Sequence, residues 1–201
     1  MKRKLMLLCW VGMLALMILP QVPAAHAIEG LKGSWSLGLY SALNQSEIDT
    51  WGGTYEFSFT VVNASIGYFL TDHLELNFSP TIARAEAEDM EMSLTNYFGN
   101  IKYNFYGDKW QAVPYVGLQG GATSINVEYT ETSDEGGVLE DNSESYDDTS
   151  YSFGFIGGIK VFLSENLSLD VEYNWLYSPD LVADLTMSTV FVGLKWYFGG
   201  D

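Results

Sequence analysis

The feature that most constrains this chain is two-residue alternation sustained over segments longer than a soluble strand needs. From Leu167 to Tyr177, Leu167, Leu169, Val171, Tyr173, Trp175 and Tyr177 share one parity, and Ser168, Asp170, Glu172 and Asn174 share the other. A helix scatters two such sets around its axis, whereas an extended strand places them on opposite faces. Tyr151 to Leu163 repeats the pattern: Tyr151, Phe153, Phe155, Ile159, Val161 and Leu163 oppose Ser152, Gly154, Gly158 and Lys160.

Six further stretches alternate and are bounded by Gly, Asn, Asp and Ser: Gly33–Asn44, Thr54–Leu70, His73–Ala87, Glu91–Tyr106, Ala112–Glu131 and Asp184–Phe198. Strands of about 12 residues exceed the usual 5–6 of soluble sheets and meet the 9–11 that a tilted membrane-crossing strand requires. Links at Thr71-Asp72, Gly107-Asp108-Lys109 and Ser164-Glu165-Asn166 are short, while those near 45–53, 88–90, 132–150 and 178–183 are mostly longer. Short turns at one end, longer loops at the other and an even strand count predict an all-β, eight-stranded antiparallel up-and-down transmembrane β-barrel with shear. Turns and both termini then face the periplasm, and four loops face outside. Within Thr54–Leu70 the apolar parity changes from Tyr55, Phe57, Phe59 and Val61 to Val62, Ala64, Ile66, Tyr68 and Leu70, which predicts a β-bulge at Val61-Val62.

The first residues read as an export signal. Lys2, Arg3 and Lys4 precede an apolar run from Leu5 to Leu19, then Pro20 and the small-residue site Ala25-His26-Ala27. Cleavage after Ala27 is expected, giving a signal peptide over 1–27 and a barrel domain over 28–201. The apolar run is too short for a retained membrane anchor of roughly 20 residues. Cys9 lies inside the signal, so the mature chain has no thiol for a disulfide, a Cys-ligated zinc or a nucleophile.

The whole chain carries a net charge of −17, and removal of the three signal bases leaves −20. Nucleic-acid binding, which needs a basic face, is excluded. Only 17% of residues are charged and 15% are aromatic, against about a quarter charged in ordinary soluble domains, so part of the surface is expected to meet something other than water.

Alternation alone does not say which face points inward. The polar parity carries Glu75, Asn77, Lys102, Lys160, Asp170, Glu172 and Lys195 among Gly and Ser, a set dense enough to fill a narrow lumen with paired charges. Pairing across Ser164-Glu165-Asn166 with Leu163 opposite Leu167 sets Lys160 opposite Asp170, and Lys195 and Glu172 extend the network. Aromatic residues gather near strand ends: Tyr103, Phe105, Trp110, Trp196 and Phe198 toward the periplasm, and Tyr55, Phe57, Tyr129, Tyr151, Trp175 and Tyr177 toward the outside. Two interfacial girdles have this distribution, although β propensity also enriches these residues.

Over essentially the whole mature sequence the chain resembles the small outer-membrane β-barrels of the OmpA transmembrane-domain, OmpX and opacity-protein type. The resemblance is carried by Val113-Pro114-Tyr115-Val116-Gly117-Leu118, by Gly157-Gly158-Ile159-Lys160 leading to Asn166-Leu167-Ser168-Leu169, and by Val192-Gly193-Leu194-Lys195-Trp196-Tyr197-Phe198. The last segment looks like the C-terminal signal read by the outer-membrane assembly machinery, with Gly193, Trp196 and Phe198 in its spacing. Phe191 departs from the polar residue usual there, and Gly199-Gly200-Asp201 follow the final Phe198. The peptidoglycan-binding module of full-length OmpA-like proteins is not expected.

Some barrels of this size are lipid A acyltransferases or deacylases built on a His with a Ser or acidic partner. His73 is the sole mature histidine and follows a periplasmic turn, away from the outer leaflet where the resemblance places such chemistry, so no enzyme and no catalytic residue is expected. Asp170 and Glu172 read as members of the lysine network rather than a general acid-base pair. Between Glu128 and Asp148 stand nine acids and no base: Glu128, Glu131, Asp134, Glu135, Glu140, Asp141, Glu144, Asp147 and Asp148. They read as a solvated, mobile extracellular loop; weak divalent-cation binding is the sharper alternative, without ordered EF-hand spacing, so no metal site or cofactor is assigned.

The expected function is an outer-membrane barrel of structural or surface-interaction role, monomeric, surrounded by outer-membrane lipid and lipopolysaccharide and inserted by the assembly machinery. The competing expectation is a narrow porin-like channel for small solutes or ions, and a lipid A-modifying enzyme comes third.

Overall fold

The structure is a computed structural model that describes residues 30–50, 53–87, 90–106, 112–135, 138–179 and 185–200, with backbone alone for 43–50, 53–59, 86–87, 90, 129–135 and 138–144. The expected signal, residues 1–27, lies outside them, as do Gly107-Asp108-Lys109 and Trp110. Eight strands follow the alternating segments: β1 (Trp35–Thr50), β2 (Gly53–Phe69), β3 (Leu74–Ala87), β4 (Met90–Asn104), β5 (Ala112–Glu135), β6 (Val138–Ser164), β7 (Leu167–Ser178) and β8 (Leu185–Phe198). Each pairs antiparallel with its sequence neighbours, and β8 returns to β1 to close the barrel. Closure pairs strand edges that hydrocarbon offers nothing to bond.

Burial decides which face is which. In β8 the row Val190, Val192, Leu194, Trp196 and Phe198 is exposed, while Thr189, Phe191, Lys195 and Tyr197 between them are buried. Leu39 at 59% exposure and Leu118 at 70% sit on the same outer surface, an arrangement that costs heavily in water and suits a bilayer. Ring contacts mark both ends of the outer face: Tyr103 meets His73 and Phe105 low on the barrel, and Phe155 stacks on Trp175 and Phe153 meets Tyr177 higher up. The side chains of Tyr55, Phe57 and Tyr129 are outside the described set.

Four sequence expectations are corrected. First, Val61-Val62 forms no bulge: β2 keeps one register against β1 and against β3, and inward Val61, Asn63, Ser65 and Phe69 alternate unbroken with outward Val62, Ala64 and Ile66. The apolar parity changes because the inner wall itself turns from polar to apolar at this height. Second, the register shift among the described residues falls between Phe162 and Ser164, so Ser164, not Leu163, opposes Leu167.

Third, the segments expected as loops over 45–53 and 132–150 are largely strand. β1 and β2 pair as far as Thr50↔Gly53, and β5 and β6 as far as Glu135↔Val138. Thr130↔Ser143, Thr132↔Asp141 and Asp134↔Leu139 carry the second hairpin. Thr and β-branched residues favour extended backbone, and no pair in this ladder sets two acids directly opposite, so acidity does not prevent strand formation. The fourth correction concerns the lumenal charges and is given below.

The periplasmic end is closed by the chain preceding β1. Gly33 N donates to Phe69 O at 2.9 Å and Lys32 N to Asp72 Oδ1 at 3.0 Å, which swings Leu31 to 1% exposure among Phe69, Val113, Phe162 and Tyr197. Ser34 Oγ donates to Gly199 O at 3.0 Å, joining the start of the barrel to its end.

Candidate functional site: the lumenal plug

The alternation that turns Leu and Val to lipid turns the intervening residues into a lumen only wide enough for side chains. Above the apolar floor lies a layer contributed by seven strands: Ser36 and Tyr40 of β1, Glu75 of β3, Lys102 of β4, Tyr115 of β5, Lys160 of β6, Asp170 and Glu172 of β7 and Lys195 of β8. Glu75, Lys160, Asp170 and Lys195 are at 0% exposure. Charges taken that far from water persist only if paired and hydrogen-bonded.

Glu75 is the hub. Its Oε2 accepts from Lys160 Nζ at 2.8 Å, and its Oε1 accepts from Lys195 Nζ and from Ser36 Oγ, the latter at 2.8 Å. Lys160 and Lys195 stand on strands not adjacent to β3, so these bonds cross the lumen rather than run along its wall. A second group gathers on Glu172, whose Oε2 accepts from Lys102 Nζ and from Tyr115 OH, the latter at 2.8 Å, while Asn174 Nδ2 reaches its Oε1 at 2.9 Å. The Lys102 and Lys160 ammonium groups lie 5.1 and 5.0 Å from the centroid of the Tyr115 ring, and Lys160 lies 5.2 Å from that of Phe69.

This is the fourth correction. The backbone register does set Lys160 opposite Asp170, yet Lys160 bonds to Glu75. Asp170 instead accepts from Tyr40 OH at 3.1 Å and from Ser168 Oγ. In a sheet curled this tightly, a long inward side chain meets the opposite wall as readily as its strand neighbour. The network residues named from sequence, Glu75, Lys102, Lys160, Asp170, Glu172 and Lys195, therefore share one layer, with partners that strand register alone does not specify. Tyr40, Tyr115, Ser36 and Ser168 join the layer as uncharged members outside the expected ion network; their inward parity, shared with Gly38, Val113, Gly117 and Asp170, is the sequence signal for them.

Glycines make room for the rings. A Cβ on Gly193 would lie 2.4 Å from Tyr40 Cδ1 and 2.3 Å from Leu39 O, and one on Gly158 would lie 2.6 Å from the Tyr115 ring. Gly193 was singled out as part of an assembly signal; here it also seats Tyr40. Trp196 and Phe198 of that signal are exposed on the outer face at the periplasmic end, at 45% and 52%. His73 is exposed at the periplasmic rim, its Nδ1 3.0 Å from Asn104 O.

Higher in the lumen the lining changes. Asn63, Thr81, Asn96, Asn100 and Gln119 form a neutral polar layer, within which Asn63 Nδ2 donates to Thr81 Oγ1 at 2.6 Å. Above it Ala42, Val61, Ala83, Leu94 and Phe191 form an apolar cluster with Tyr40, and Ile125 and Val127 a second. Phe191, the residue that departs from the usual assembly signal, is packed in this upper cluster. Among the described residues no group of His, Cys, Asp and Glu is arranged to hold a metal ion.

Three solved barrels share this architecture. Neisserial surface protein A is 18% identical, with 85% of this chain and 100% of that one covered and a TM-score of 0.59. Ail, the attachment invasion locus protein of Yersinia pestis, is 19% identical over 83% and 99%, with a TM-score of 0.54. OprG from Pseudomonas aeruginosa is 10% identical over 87% and 100%, with a TM-score of 0.51. At these identities the likeness is one of fold. No curated protein matches the chain. Residues 11–198 match the outer membrane protein beta-barrel domain, and the chain belongs to that family of Gram-negative outer-membrane barrels.

Proposed function

We propose that this protein is a non-conducting surface barrel: the lumen is a structural plug, and the extracellular hairpins make its contacts. Residues 1–27 direct its export, outer-membrane lipid and lipopolysaccharide surround it, it acts as a monomer, and it has no enzymatic role. The carrying observation is the cross-lumen ion layer, in which three lysines meet two acids, Glu75 and Glu172, and Leu31 closes the floor beneath. A pore reading requires that layer to open, breaking bonds to groups at 0% exposure.

The hairpin chemistry points to the class of partner. Ail has also been crystallised with the heparin analogue sucrose octasulfate, a polyanion. The β5–β6 hairpin here carries nine acids from Glu128 to Asp148, so a polyanion is repelled and a cationic partner surface suits it. Planar-bilayer recording on refolded protein is the test. Absence of conductance steps is expected, and steady open-channel steps in the unmutated barrel would establish the pore reading instead.

A further inference from the structure

Between the ion layer and the upper apolar cluster lies a cavity of about 30 Å³, room for one guest of a water molecule's size. Glu172 of the ion layer and Phe191 of the apolar cluster both line it. Between them the wall is polar: Asn63 of β2, Thr81 of β3, Asn96 of β4, Gln119 of β5 and Asn174 of β7 reach it from five strands.

The amide groups around the cavity are turned one way. Asn63 Nδ2 donates to Thr81 Oγ1 at 2.6 Å, Gln119 Nε2 to Trp175 O at 3.4 Å and Asn174 Nδ2 to Glu172 Oε1 at 2.9 Å, so these nitrogens are spent on the wall and on the ion layer. Oxygens are left over. Asn96 Oδ1 and Asn174 Oδ1 are buried with no hydrogen-bond partner among the described residues, and Asn96 as a whole is at 3% exposure. A buried acceptor left unmet keeps its desolvation cost, so two of them lining one small cavity call for a guest that is positive or donates protons. Amide oxygens replace the hydration shell of a monovalent ion without any cluster of His, Cys, Asp or Glu. A divalent ion is a poor match, because Glu172, the one carboxylate on the cavity, already accepts from Lys102 and Tyr115. The three lysines of the ion layer stand with three acids, so the charge of −20 on the mature chain lies outside that layer, and nine acids occupy the β5–β6 hairpin above. Their field concentrates cations at the outer end of the lumen.

We propose that this cavity binds one monovalent cation of potassium size, held by Asn96 Oδ1 and Asn174 Oδ1 beside the Glu172 carboxylate. The ion ties β4 to β7 across the lumen and meets the two oxygens that the sheet leaves over. The inference goes beyond the plug of the proposed function: the site stands whether or not the lysine layer opens, so conductance tests the one and binding the other.

Ammonium, close to potassium in size and visible through its protons, is the probe. Protein refolded in detergent micelles, with labelled leucine methyls and asparagine side-chain amides, is titrated with nitrogen-15 ammonium chloride and followed by NMR. Cross-peaks from ammonium protons to the Leu176 methyls, which line the cavity, and to the Asn96 amide are expected. Potassium chloride should displace them, and N-methylglucamine chloride at the same ionic strength, whose cation is too large for the cavity, should not. Cross-peaks to these protons from water alone would overturn the proposal, as would ammonium cross-peaks that potassium leaves in place. Asn96→Leu fills the cavity and removes an oxygen, so it should abolish the ammonium cross-peaks, with heat-modifiable migration verifying the fold; their persistence in the folded variant would also overturn it. Asn96→Asp keeps the shape and adds charge, so half-saturation should shift to lower ammonium concentration, and an unshifted titration would count against the site even if Asn96→Leu fails to fold.

Discussion

The lower and upper halves of this lumen are built on different principles. Below, a layer of full charges is tied across the barrel by Glu75 and Glu172, floored by Leu31 and wrapped by a wall in which β1 and β8 are joined. Above, neutral amides give way to Ala42, Val61, Ala83, Leu94 and Phe191, and the same two strands run unjoined. Stability in the lower half comes from groups that are expensive to leave unpaired, and such groups admit one arrangement. The upper half relies on apolar contact, which is non-directional and tolerates rearrangement. Rigidity and adaptability are thus separated by height in one continuous sheet.

The largest expected effect is at the hub. Glu75→Ala leaves Lys160 and Lys195 buried without their shared acceptor and should cost about 3–5 kcal/mol in urea unfolding of vesicle-inserted protein. Ala83→Ser, whose hydroxyl can bond its own strand in the upper wall, should cost about 1 kcal/mol or less. Equal losses would break the comparison.

Gly193→Ala comes next, at about 1–3 kcal/mol, because the new methyl meets Tyr40 and the Leu39 carbonyl and displaces the ring that bonds Asp170. Gly157→Ala, where a Cβ meets nothing within 4 Å, should leave stability unchanged. A Gly193→Ala protein with native stability would show that the ring is not seated as described.

A double-mutant cycle sharpens the lower half further. Lys160 with Glu75 should show a coupling of about 0.5–3 kcal/mol, exceeding that of Lys160 with Asp170 despite the cross-strand register of the second pair. The reverse order would restore the pairing expected from sequence. The smallest effect is at the β5–β6 hairpin: replacing 133–140 by a short turn should shift stability by no more than about 0.5 kcal/mol, since the pairings Ser133↔Glu140, Asp134↔Leu139 and Glu135↔Val138 join this segment only to itself.

Strand number, order and facing were legible in the sequence because lipid outside and side chains inside impose opposite chemistry on successive residues, as Leu167–Tyr177 displays. The composition of the ion layer was legible for the same reason. Its connectivity was not: Lys160 chooses Glu75 across 85 residues of chain, and neither register nor parity encodes a contact through the lumen. The supposed bulge at Val61-Val62 failed for a related reason, since a change of lumen chemistry with height imitates a change of parity. Tyr40 and Tyr115 stand outside the expected ion network because an inward tyrosine reads as one more aromatic until the glycine beneath it is identified.

The contact between Ser34 and Gly199 brings the two ends of the barrel to within a short linker of each other. A circular permutant follows: join the ends, reopen the chain at the Glu165-Asn166 turn, and all eight strand pairings survive while Trp196 and Phe198 move into the chain interior. Refolding into detergent should then proceed as before. Insertion in cells should fail for the permutant, as it should be reduced for Phe198→Ala, if the machinery reads a chain end; normal insertion of the permutant would mean that it reads the strand itself.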